Sequence, residues 1–259
     1  MKDAGMKIIG GVPIRGLRVE HFLDPQTGVP ECHYLLSGAL VAKVRLKGNL
    51  AEQMSGLALI EKDLSCAKGW AQKAQNLGAR CRGNQPDDAV FIRVVDEELS
   101  DEAKAFFVAS LTFYGKAFAE GLGRRAQLQR DWLSSEFREI HDYFINFRHN
   151  FAAHSGKAKL ENASTHLLLI PVENERVLLQ PASTRLQPSF AKTGQHENDF
   201  VKLLDHAISV VQGRHYAAGK RLMAVVNEKP IAFWQIAAQG NIAVDLDDVT
   251  KSMRGRRRK

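Results

Sequence analysis

Between Asn49 and Val226 the chain is dominated by apolar residues spaced three and four apart, the repeat of a helix with one buried face. Leu50, Met54, Leu57, Ala58, Ile60, Leu64, Ala67 and Ala71 predict a long first helix with Asn49 as its N-cap, an end near Asn76 and Gly78 as the stop. A loop over Gly83 to Asp88 follows. Ser100, Asp101 and Glu102 read as the start of a second helix, because a hydroxyl can cap the first turn and carboxylates favour its positive end. Its stripe of Phe106, Phe107, Leu111, Tyr114 and Phe118 is dense in rings, which points to core packing, and Gly121-Leu122-Gly123 should end it. A third helix carries Leu133, Phe137, Ile140, Phe144, Phe147 and Phe151 at alternating spacings of four and three, a bundle-facing seam. Asp131 or Ser134 can cap its start, and Ser155-Gly156 can stop it. A fourth runs from about His196 through Phe200, Leu203, Leu204, Ala207, Ile208 and Val211 to Val226, before Pro230 removes a backbone donor.

Two regions break this pattern. Thr165 to Val172 and Arg176 to Pro181, separated by Glu173-Asn174-Glu175, predict a β-hairpin near 164–181, inserted between bundle helices. The first 48 residues are interrupted by Pro13, Gly16, Pro25, Gly28 and Pro30 and read as irregular, with one or two short strands near the valine-rich Leu40 to Leu46. The chain thus divides into an irregular segment over 1–48 packed on the bundle, a helical bundle over 49–228, and a short mixed extension over 229–259 ending in a basic tail.

Composition narrows the function classes. With 259 residues, 44% hydrophobic and 25% charged, the chain can bury a full core. No run of about 18 apolar residues could span a bilayer, and no signal-type apolar core follows Met1, so no membrane partner is expected and the compartment is the cytoplasm. Cys32, Cys66 and Cys81 are too widely spaced for a paired metal-binding unit and read as reduced thiols. Glu31-Cys32-His33 beside His21 matches no recurrent metal site, and Gly10-Gly11 belongs to neither common phosphate-binding glycine pattern. No metal or cofactor is expected. The net charge of +7 is mostly local, since Lys251, Arg254, Arg256, Arg257, Arg258 and Lys259 lie in the last nine residues. That tail can touch nucleic-acid phosphates, but no recognition helix rich in exposed Arg, Asn or Gln accompanies it.

The chemistry concentrates where the third helix should stop, in Phe147-Arg148-His149-Asn150-Phe151-Ala152-Ala153-His154-Ser155-Gly156. A guanidinium keeps its charge at any physiological pH and matches phosphate oxygens with a planar fork of donors. A histidine titrating near neutrality can take and return a proton. Arg148 and His154 together suit transesterification of RNA, provided the helix relaxes so that both face one groove. The competing reading is structural, because cations near a helix C-terminus also serve the negative end of the dipole. His141-Asp142 lies in the same helix, but neighbouring residues there point about 100° apart, and the pair reads as solvated surface. His206 and His215, nine residues apart, fall on opposite faces of the fourth helix and form no metal pair.

The stretch from Arg148 to His154 resembles the R-polar-x(3–4)-H signature of HEPN domains, especially the abortive-infection-like branch with its phrase R-[ND]-K-F-x-A-H. The arginine, the polar residue after it, the phenylalanine and the alanine before the histidine all match. The resemblance covers Leu50 to about Asn227. It implies a mainly α, HEPN-like four-helix bundle with an inserted β-hairpin and an irregular N-terminal segment. It further implies a metal-independent endoribonuclease of toxin or antiphage-defence type, acting as a homodimer on an RNA substrate, with a cognate antitoxin as a further candidate partner. Arg148 would stabilise the scissile phosphate, His154 would act as general acid or base, and His149 and Asn150 would support them. Gly156 stands where some members carry a regulatory tyrosine, so control by nucleotidylation is not expected. The same resemblance leaves open a non-catalytic module that binds a nucleotide or a partner protein.

Overall fold

The computed structural model describes residues 16–23, 25–28, 30–82, 96–121, 124–153, 162–172, 176–186 and 199–256. The described chain is mainly helical with small sheets. It divides into two compact units: one comprises residues 1–61, 120–127 and 209–259, the other 62–119 and 128–208.

The first unit opens with three antiparallel strands, β1 (Leu17–Leu23), β2 (Pro30–Leu36) and β3 (Ala39–Leu40), paired in sequence order. The segment expected to be irregular is therefore a small meander. Gly16, Gly28, Ser37 and Gly38 take positive φ at the turns, while Pro30 opens β2, a position a strand tolerates. The strand expected over Leu40 to Leu46 shrinks to β4 (Leu46–Lys47), which pairs in parallel with β7 (Val244–Asp245).

Helix α1 (Asn49–Arg82) and helix α4 (Asp199–Val226) each contribute residues to both units. Within the first unit α1 begins on a device the local sequence does not advertise. Asn49 is the first helical residue rather than the N-cap, and Gly48 offers its carbonyl to Glu52 N at 3.0 Å. The cap comes instead from far along the chain, where Asp247 Oδ2 accepts from Asn49 N at 3.2 Å and from Asn49 Nδ2 at 2.8 Å. Gly48 makes this approach possible. Its φ is +99°, and a Cβ there would lie 2.9 Å from Asp245 Oδ1 and 3.1 Å from Asp247 Cγ. Asp245 in turn accepts from Asp247 N at 2.8 Å as α6 (Leu246–Arg256) begins.

The region after Pro230, expected to be short and mixed, forms α5 (Ile231–Gln239), β7 and α6. Pro230 is the N-cap of α5, a use that its fixed φ of −65° permits. Ala51, Leu222 and Leu246 form one buried cluster, flanked by Leu46, Met54 and Trp234. A second comprises Ala237, Val244 and Val249.

The second unit contains the rest of α1, then α2 (Glu97–Phe118), α3 (Ser135–Phe147) and the start of α4. Helix α1 does not stop at Gly78 but continues to Arg82. Helix α2 starts four residues earlier than expected, because Asp96 rather than Ser100 caps it, accepting from Leu99 N at 3.0 Å. It ends at Phe118, before the expected glycine stop, of which Leu122 and Gly123 lie outside the described residues. Ahead of α3, Arg130–Trp132 forms a 3₁₀ turn, and Ser134 is the N-cap. Strands β5 (Asn162–Val172) and β6 (Arg176–Leu186) form the expected antiparallel hairpin and extend it at both open ends. Leu167 to Ile170 and Val177 to Leu179 are all exposed there. The hairpin's tip at 173–175, the loop at 83–88, Gly10-Gly11, the expected start of the fourth helix at His196 and the last three residues of the tail lie outside the described residues.

Replacing Asp247 with Ala should lower stability by about 1 kcal/mol, the usual worth of a lost cap, whereas Asp247→Asn should retain most of it. Urea unfolding of the three proteins measures the difference.

Candidate active site

The second unit is built around rings. Phe200 packs on Phe144 at 4.3 Å between centroids, on Tyr114 at 5.5 Å and on Phe107 at 5.8 Å, and Phe107 meets Phe147 edge-on. These rings come from α2, α3 and α4, so each helix is fixed in rotation by aromatic contacts to the others. Ser110 Oγ donates to Ala67 O at 2.7 Å, tying α2 to α1 inside the same core. His206 on α4 stacks on Phe137 and accepts from Ser134 N at 3.1 Å through Nε2, which pins the start of α3.

The far end of α3 carries the motif. The α-helix ends at Phe147, and Arg148–Ala153 winds into a π-helical turn. Arg148 is the C-cap residue, and its own N–H still donates to the carbonyls of Phe144 and Ile145. Its side chain is half-buried and lies against α2 at Gly115, where a Cβ would sit 2.4 Å from Arg148 Cδ and 2.6 Å from Nε. Gly115 is thus a platform that only a residue without a side chain can supply. Arg148 Nε is buried with no hydrogen-bond partner. A buried donor left unmade costs about 1–3 kcal/mol, more when charged, so such an atom calls for an anionic or polar ligand.

The supporting residues divide. His149 is exposed on the π turn. Asn150 is turned back on its own helix, donating from Nδ2 to Asn146 O at 3.0 Å and to Asn146 Oδ1 at 2.6 Å, so it stiffens the turn. His154, with Ser155 and Gly156, lies outside the described residues.

Two turns before Arg148 the expectation for His141 fails. His141 is buried, and its Nδ1 shares a 2.7 Å hydrogen bond with the buried Tyr114 hydroxyl. Phe118 stacks on its ring at 4.3 Å. Burial holds the imidazole below its ordinary pKa and, with the charge of Asp142 as a second cause, pushes the Tyr114 phenol well up. Both groups are therefore neutral near pH 7, and one proton lies between the phenol oxygen and Nδ1. The reason for the burial is the width of the seam. His141 and Arg148 occupy the position just after Ile140 and Phe147, and a globular helix buries that flank along with the main stripe. Asp142 does face solvent, where Arg130 grips it with Nε at 2.7 Å and a second nitrogen at 2.6 Å and holds the carboxyl below its usual range.

Neither a family model, nor a curated protein, nor a solved structure matches this chain.

Local chemistry therefore has to speak for itself. The structure sets a permanent cation with an orphaned donor on a π-helical turn, backed by a neutral histidine–tyrosine pair and a ring cluster. Among the described residues no group of three or more His, Cys, Asp or Glu is arranged to hold a metal ion. Sequence reasoning missed Gly115 and the Tyr114–His141 pair. Gly115 carries no local sign of its role, whereas His141 could have been found by widening the seam by one position.

In the first unit His215 is also buried and also held below its ordinary pKa by that burial, with Glu61 opposing. For both histidines the folded pKa lies below the unfolded value of about 6.5. Between the two values the unfolded chain binds more protons, so stability should be full above about pH 6.5 and fall as pH drops through the folded values. Tyr114→Phe should cost about 1–3 kcal/mol by stranding Nδ1 of His141. Thermal unfolding from pH 8 to pH 5 tests both, and a midpoint that rises on acidification would contradict the assignment of neutral histidines.

Proposed function

We propose that this chain is a metal-independent endoribonuclease of HEPN type, with Arg148 and His154 as its reacting pair. The observation that supports the reading most directly is the Arg148 guanidinium, half-buried on Gly115 with a buried Nε that has no hydrogen-bond partner. The π-helical turn beginning at Arg148 supports it further, because such turns are frequent at functional sites.

In this mechanism Arg148 binds the scissile phosphate of RNA and stabilises charge on the equatorial oxygens as it develops. A base removes the proton from the 2′-hydroxyl, the 2′-oxygen forms a bond to phosphorus, and the bond to the 5′-oxygen breaks. The departing oxygen receives a proton, leaving a 2′,3′-cyclic phosphate and a 5′-hydroxyl. His154 is assigned one of these two proton transfers. Dimerisation across a two-fold axis would set two such motifs on one cleft, and a cognate antitoxin would act by covering it. Asn150, bound to Asn146, is assigned to the shape of the turn rather than to substrate.

Purified protein incubated with RNA in excess chelator should generate cyclic-phosphate ends. Arg148→Ala and His154→Ala should each slow the reaction by about 100-fold or more. Gly115→Ala is the sharper variant. Alanine is a better helix former than glycine by about 0.5–1 kcal/mol, and the displaced guanidinium is the end of a flexible side chain, so folding should be preserved. Cleavage should nevertheless fall at least ten-fold. Cleavage that survives both Arg148→Ala and His154→Ala would reject the assigned site.

A further inference from the structure

The first unit carries a concentration of positive charge that the Arg148 site does not use. Two adjoining concavities, of about 590 and 400 Å³, share Arg125 as a common wall. Arg45, Lys47, Arg124 and Arg125 line the larger one with a single carboxylate, Glu52, and Arg221 lines the smaller one with a single carboxylate, Asp247. Outside its tail the chain is close to neutral, so five cations along one depression are a local feature rather than the overspill of a basic surface.

The fold assembles this row from three places. Arg45 and Lys47 flank Leu46 in β4; the period of a strand turns both to one side while Leu46 packs into the core. Val244 N donates to Arg45 O at 2.9 Å and fixes that backbone. The segment carrying Arg124 and Arg125 reaches α1 at Gly56, where a Cβ would lie 2.8 Å from Ala126 Cβ. Arg125 is then locked by Glu52 at 2.9 Å and by Asn49 Oδ1 at 3.3 Å. Arg221 donates to the neutral Gln53 at 3.2 Å, on a wall it shares with Asp247, whose Oδ2 is engaged by Asn49. Among the described residues Arg45 and Lys47 have no carboxylate partner.

We infer that this trough binds the phosphodiester backbone of a single-stranded nucleic acid, without reading its sequence. A row of separated cations matches a chain of repeating phosphates better than one compact anion. None of the described lining residues is aromatic, so bases have no ring to stack on and contact is confined to the backbone. Concavities of about 590 and 400 Å³ can receive the narrow backbone of one strand. RNA and DNA strands present the same phosphate chemistry here.

The test uses strands that cannot be cleaved by 2′-transesterification, so it is independent of the Arg148 reading. A fluorescent deoxythymidine strand of on the order of 20 nucleotides and a 2′-O-methyl RNA of equal length are titrated with the full chain by anisotropy, at several salt concentrations. Both should bind, with affinity falling steeply as salt rises. The double variant Arg45→Ser/Lys47→Ser should reduce the slope of log K against log salt by about 1.4, or roughly 0.7 for each lost phosphate contact on a single strand. It should weaken binding about equally for thymidine, adenosine and mixed sequences. Circular dichroism confirms that this exposed pair has been removed without unfolding. An unchanged slope in the double variant would assign binding to the basic tail and overturn the proposal. Equal affinity for a duplex, a strong preference for one base, or no binding by wild type would overturn it as well.

Discussion

The contacts around Phe200 are the constraint on which the candidate active site depends. One ring from α4 touches Phe144 of α3 and both Phe107 and Tyr114 of α2, so the azimuth of three helices is decided together. Rings are large and stiff, and edge-to-face packing tolerates little rotation. Once α2 and α3 are set, Gly115 and Arg148 must meet, because they lie on the faces already turned toward each other. The Tyr114–His141 bond joins the same two helices, and it pairs two polar groups inside a ring-filled interior.

Much of this was legible in the chain. The four- and three-residue spacing of α3 identified Phe144 and Phe147 as buried, and the ring-rich stripe of α2 was core as its composition implied. The hairpin was legible from a change in period. What could not be read has several causes, and for α1 the deciding partner is distant in sequence. Asn49 resembled an N-cap because its residue type suits one, but Asp247 does the capping from 198 residues away. The N-terminal meander is obscured in the sequence because its glycines read as breaks, whereas they form the turns between strands. His141 was misjudged because a charged neighbour, Asp142, was allowed to speak for both, although adjacent helical residues face different surroundings.

The two units present positive charge in contrasting ways. In the second, one guanidinium is drawn partly out of water and left with an unmade hydrogen bond, an arrangement suited to a strong, localised interaction with an oxyanion. In the first, several cations stay exposed along a depression, where each contributes little alone and all are screened by salt. The first arrangement favours a single well-defined geometry, and the second favours capture without discrimination.

The cap on α1 also imposes an order on biosynthesis. Asn49 and Asp247 are separated by 198 residues, and β4 must wait for β7 at nearly the same separation. At ribosomal speeds of about 5–20 residues per second, the start of α1 stays uncapped for roughly 10–40 seconds after it is made. During that interval the second unit, whose residues end at Ile208, can assemble its ring cluster, while the first still lacks α5, β7 and α6. The nascent chain therefore builds its interior section before it can finish the section that contains its beginning.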